Sequence, residues 1–387
     1  MSVIQPTLDI PIKILAGLAD GSYKRFGGVI RNADNGQIVT MLRDSSGVQS
    51  LVNQGSPLST LPLQLVAPYL QLANLGVSAI GFTLVIQKLE QLGQQIRAIE
   101  EKVEQVAFKL DDMSWAKLKA GIQASCDAVN LPDPALRIHR VAQALFTLHE
   151  SRQYFNQQAI RAIQKAEAAS PQYLGLVMAA LVAEMQVYIH LDETERAAQT
   201  LQEGLEVLQP ALAQLLESVL QQRAFYLRPE FKDKIGLDLV AWLQSAHDRL
   251  SQPFGTMDVE PITAAELFDL VREDLADALS SSHNWCQKVL PALVDIRQVE
   301  DWRFMFINTG TNQQKLQELT YQELPDGLLR IAALVEAYDR LCGQWLQLTA
   351  MQELRLPPSA LEQLSLTPDG PAAAIVLDDR LLDPIAA

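Results

Sequence analysis

Apolar residues recur along residues 82–113 at alternating spacings of three and four: Phe82, Val85, Leu89, Leu92, Ile96, Ile99, Val103, Val106, Leu110 and Met113. This sustained period predicts a helix about 48 Å long, at 1.5 Å per residue, in coiled-coil-like packing. Lys88, Arg97, Glu100, Glu101, Glu104 and Lys109 fall off the stripe and suit its solvated flanks, with Gly93 as the weak helix position. Just upstream, residues 72–86 read LANLGVSAIGFTLVI. Leu72, Leu75, Val77, Ile80, Phe82, Leu84, Val85 and Ile86 alternate there with Gly76, Ala79 and Gly81, small residues that let another backbone approach closely. A bilayer core of about 30 Å needs roughly 20 residues in one helix. Reaching back to Leu61 adds length but brings in Pro62, Gln64, Pro68 and Gln71, so the pattern suits a broken apolar hairpin over residues 61–86 better than one span.

The remaining pattern is helical almost throughout. Residues 114–130 form a helix stopping before Pro132, and residues 133–170 a second one stopping before Pro171. Residues 171–192 are apolar enough to be buried on most sides. Residues 193–209 predict a helix interrupted by Pro210 and resumed at residue 211. Pro253, Gly255 and Pro261 mark a break and the likeliest boundary or hinge, after which Thr263 and Glu266 have the spacing of a capping box. Helices follow over residues 264–296 and from Pro325 to about residue 354. Tyr188, Ala197, Leu201 and Gly204 stand at tetratricopeptide-like offsets, a single imperfect copy.

Strand signals are confined to the N-terminal part. A short helix from about Pro11 closes at Gly21, and residues 27–44 read as a β-hairpin around the turn residues 32–36. The expected fold is therefore mainly α, an elongated bundle of long helices with a small N-terminal β-hairpin region. Its parts are a small module and loop over residues 1–60, and a helical bundle carrying the apolar hairpin and the heptad helix over 61–252. A C-terminal helical region over 253–356 and a Pro-rich acidic tail over 357–387 complete it.

Composition narrows the chemistry. With 48% hydrophobic and 20% charged residues, the chain of 387 residues can bury sizeable cores. Yet no charge falls within residues 45–87. A formal charge of −15 without a cluster of Lys and Arg argues against a nucleic-acid partner. Cys126, Cys286 and Cys342 make neither a disulfide framework nor a zinc spacing, and Asp9, Pro11 and Lys13 interrupt any secretory leader, so the expected location is the cytoplasm. Membrane association or release by a leaderless route remains compatible with it.

Residue types that do chemistry are scattered. His149-Glu150 lacks the second histidine of a metalloprotease helix, and His283 with Cys286 lacks further ligands nearby. His247-Asp248 and His190 with Asp192 read as surface polar pairs. No nucleophile elbow, phosphate loop or dinucleotide turn occurs, and Gly27-Gly28 opens a strand rather than a helix. No Glu-x-x-His pair marks a bundle-core metal site. The expectation is a non-enzymatic protein with no catalytic residues, cofactor, metal or small-molecule substrate.

The order of parts, a β-hairpin module, an apolar Gly-containing segment, a heptad helix and a helical body, resembles the architecture of α-helical pore-forming toxins over roughly residues 60–250. Those proteins shield an apolar hairpin against a helical bundle and release it at a membrane. The resemblance is architectural, with no motif matched residue by residue, and it implies action on lipid through residues 61–86. The alternative expectation is a cytosolic scaffold or regulator. There the heptad face (Leu89, Leu92, Ile96, Ile99, Val103, Val106 and Leu110) mediates self-association or binds a helical partner, and the apolar segment stays buried.

Overall fold

A computed structural model describes residues 12–26, 29–33, 38–42, 112–129, 131–167, 169–221, 223–227, 231, 234–255, 262–280, 310–353 and 374–376. Helices dominate them: α1 (Ile12–Asp20), α2 (Asp112–Val129), α3 (Pro134–Gln164), α4 (Ser170–His190), α5 (Thr194–Leu220), α6 (Leu237–Leu250), α7 (Ala264–Ser280) and α8 (Gly310–Glu353). A short 3-10 turn, Arg223–Leu227, lies between α5 and α6. The small sheet comprises β1 (Tyr23–Phe26), β2 (Val29–Asn32), β3 (Ile38–Leu42) and β4 (Ala374–Val376), antiparallel in that order. The fold is mainly α with a small β region at its N-terminal part.

Helix α4 is the axis of the bundle. Of its 21 residues only Tyr173, Tyr188 and His190 reach the surface, because α2, α3, α5 and α8 all pack against it. It is long and apolar enough to cross a membrane, the one such helix among the described residues, and 89% of its apolar window is buried within the bundle. The α4–α5 hairpin turns at Asp192, whose φ of 58° is left-handed. The tetratricopeptide-like positions fall on this hairpin. Gly204 of α5 meets Leu181 of α4 so closely that a Cβ there would stand 2.5 Å from both Leu181 methyls.

Capping follows the sequence. Asp133 accepts from the backbone N–H of Ala135 at 2.9 Å ahead of Pro134, starting α3. Thr263 and Glu266 form the reciprocal box that opens α7: the Thr263 N–H donates to Glu266 Oε2 at 2.8 Å and the Glu266 N–H to Thr263 Oγ1 at 3.2 Å. Gly21, at φ +83°, closes α1.

Several expectations are corrected. Helix α5 runs unbroken through Pro210. Both Pro210 and Glu206, whose carbonyl loses its N–H partner, are exposed, so water can satisfy that carbonyl. Helix α3 stops at Gln164, and Pro171 lies in the first turn of α4 rather than beyond a longer α3. Helix α8 begins at Gly310 and contains Pro325, so that proline does not start it. The hairpin is extended on both sides, by β1 and by β4 from within the acidic tail. Apart from these corrections, helices on both sides of the break before α7 contribute to one core, which runs from Trp115 to Met351 and includes Leu243, Leu267 and Val335.

Candidate functional site

The sequence-expected elements lie largely outside the described residues. These are the apolar hairpin of Leu72, Leu75, Gly76, Val77, Ala79, Ile80, Gly81, Phe82, Leu84, Val85 and Ile86, and the heptad positions Leu89 through Leu110. His283 and Cys286 lie outside them too. Met113, the last residue of the stripe, is described: it sits in the first turn of α2 and is 68% exposed.

Helix α2 buries Trp115, Leu118, Ile122 and Cys126 against its neighbours. Gly121 abuts Leu148 of α3, and Lys117 meets Glu150 at 3.8 Å, so the two helices run antiparallel. At about 100° per residue, this buried face lies on the opposite side of the helix from Met113. Along Met113's own side α2 continues with exposed Ala116, Lys117, Ala120 and Gln123, small and polar. The apolar stripe thus ends at Met113, facing away from the core.

Two buried ion pairs tie helices together, and neither was legible from local sequence. In the first, Arg249 of α6 grips Asp339 of α8, with Nη2 donating to Oδ2 at 2.7 Å and Nη1 2.6 Å from Oδ1. Although 31% of the Asp339 side chain reaches solvent, its Oδ1 does not. Burial pushes this carboxyl up to about 6 against the pull of Arg249. Gln209 of α5 completes the junction. Its amide nitrogen donates to the Leu250 and Gln252 carbonyls at 2.9 and 2.6 Å, satisfying orphan acceptors at the end of α6. Its oxygen receives the Tyr338 hydroxyl at 3.3 Å. Burial raises the neighbouring Cys342 thiol to about 12, so it is an inert packing group.

In the second, Glu184 interrupts the apolar α4 with its side chain 4% exposed, and Arg152 of α3 donates Nε–H to Oε1 at 2.9 Å. Burial raises the Glu184 carboxyl despite Arg152. Arg152 Nη2 also lies 3.1 Å from His149 Nδ1. Gln153 Nε2 lies 2.7 Å from His149 Nε2, so the ring sits between Arg152 and Gln153.

An open groove of about 370 Å³ runs between α5 and α6, lined by Gln209, Pro210, Gln214, Glu217, His247 and Ser251 among others. His247 Nδ1 stands 3.3 Å from Asp248, which accepts from Gln244 at 2.8 Å, and Gln244 accepts from Arg223 at 2.8 Å. This chain fastens the 3-10 turn to α6. The one hydroxyl lining the groove, that of Ser251, donates to the His247 carbonyl at 2.8 Å. His139 is exposed on α3, and burial lowers the His190 ring. Among the described residues no three metal-type ligands converge. Cys126 and Cys342 are both buried and not joined by a disulfide.

These polar groups hold helices in register; among the described residues Met113 is exposed, as are Leu136, Ile138 and Phe146 of α3 and Phe268 and Leu270 of α7. No protein-family model, curated protein or solved structure matches the chain.

Proposed function

We propose that this protein works by association rather than by chemistry, with the stripe of residues 82–113 as its contact surface for a second copy of the chain. The observation that carries this reading is the outward phase of Met113. By sequence spacing alone, at about 100° per residue, Val106 and Leu110 share a helical side with Met113, at roughly 20° and 60° from it. Apolar side chains on the side of Met113 call for an apolar surface other than the core that α2 covers. The 3.5-residue period is the one by which helices from two chains pack along a common seam. Sedimentation of the Ile96→Lys, Ile99→Lys protein tests it. Expected is a self-associating wild type and a variant of lower mass with unchanged helicity; an oligomer that survives the change removes the stripe from the explanation.

A second reading, action on lipid in the manner of pore-forming proteins, is supported by the absence of charge through residues 45–87 together with Gly76, Ala79 and Gly81. Under it, full-length protein floats with liposomes and releases dye, and Gly81→Asp abolishes release while leaving helicity intact. Equal loss of folding and release assigns the segment to a protein core instead.

A further inference from the structure

We infer that the outer edge of β3 is a strand-docking site for an extended, uncharged aliphatic segment, held closed in cis by residues 374–376. This goes beyond the association proposed for the helical stripe and does not depend on it. Strand β4 pairs antiparallel with β3 over three positions, Thr40 with Val376, Met41 with Ile375 and Leu42 with Ala374. Three pairs form a short ladder, and the occupant is Ala-Ile-Val, small and aliphatic, seated through the backbone as in strand addition. The sheet itself is anchored without β4. β1 and β2 pair over four positions, β2 pairs with β3, and Arg31 of β2 forks onto the Glu353 carboxylate of α8, with both contacts at 3.1 Å. Removing β4 therefore leaves a formed sheet with an open edge.

Chain length permits the occupant to leave and return. β4 lies two strand spacings from β2, about 10 Å. Residues 354–373, which connect Glu353 to β4, span about 65 Å or more when extended. A partner strand in trans must outbind an occupant that belongs to the same chain. The partner chemistry is fixed by what sits there now: an extended segment with no charge over three residues, running antiparallel to β3.

The test uses the full chain carrying Ala374→Pro and Ile375→Pro. Successive strand N–H groups point to opposite edges, so one of these two prolines removes a donor to β3 whichever register position bonds. A fluorescein-labelled peptide of residues 371–379 is titrated with the variant and with wild type, and anisotropy is read. Binding to the variant at least tenfold tighter than to wild type, displaced by unlabelled peptide and lost when the peptide carries the same prolines, is expected. Equal binding, or none to a variant with wild-type helicity, overturns the proposal. Amide exchange of wild type supplies an independent reading that needs no variant. Protected β3 amides that exchange faster than those of α4 support an edge that opens by itself, whereas exchange only with global unfolding overturns it.

Discussion

Replacing Gly204 with alanine probes the tightest helix contact in the core. The added Cβ would stand 2.5 Å from both methyls of Leu181 and 3.0 Å from its Cγ, and Leu181 is completely buried, so the side chain has no free volume to enter. Overpacking of this kind costs about 1–3 kcal/mol, and contact with both methyls places it toward the upper end. Alanine in place of glycine returns up to about 1 kcal/mol of helix propensity. The expected net loss is about 2 kcal/mol. Leu181→Ala alone leaves a cavity and costs about 2–5 kcal/mol. In the double variant the new methyl occupies part of that cavity, so the two losses fall short of adding by about 1–2 kcal/mol, the signature of a direct contact. Urea titration of the four proteins followed by circular dichroism gives the cycle. Losses that add within about 0.5 kcal/mol would mean that α4 and α5 do not meet at these residues.

Two further outcomes concern the buried charges. Arg152→Leu strands the Glu184 carboxylate in an apolar helix and should cost about 3–5 kcal/mol, while adding Glu184→Leu should restore stability to wild type or above; a double variant as unstable as the single one refutes the pairing. Asp339 has a folded-state carboxyl raised to about 6 from 3.8, so its contribution is full below about pH 4 and is lost as pH rises through about 6. The urea midpoint of wild type, taken relative to Asp339→Asn, should therefore fall between pH 4.5 and pH 7.5, and a rise over that window would show that Arg249 outweighs burial.

The parts of the fold legible in the sequence were those fixed by neighbours along the chain. The Thr263–Glu266 box, the stop at Gly21, the pairing of β2 with β3 and the burial of α4 each follow from residues close to one another along the chain. β1 escaped notice because its sequence, Tyr-Lys-Arg-Phe, has no apolar alternation and its pairing is supplied by β2. β4 escaped because three aliphatic residues in a Pro-rich stretch signal nothing until β3 is placed beside them. Pro210 misled because it and Glu206, whose carbonyl it frees, lie on the exposed side of a helix otherwise held by packing, where water can satisfy that carbonyl. Gln209 and Glu184 resemble ordinary surface residues of amphipathic helices; their partners on α6, α8 and α3 are set by tertiary packing, which no local pattern encodes. The outward phase of Met113 required both kinds of information, the stripe from the sequence and the buried face of α2 from the structure.

The pairing of β3 with β4 also sets a schedule for synthesis. Thr40 emerges from the ribosome long before Val376, its partner across the ladder. At 5–20 residues per second the interval is roughly 20–70 s. Through that interval the nascent N-terminal strands present a bare edge to every other chain nearby, the condition under which sheets recruit foreign strands. Ribosomes spaced along one message would carry several such edges at once, so the crowding of translation, more than the concentration of finished protein, is where mispairing of this sheet is most exposed.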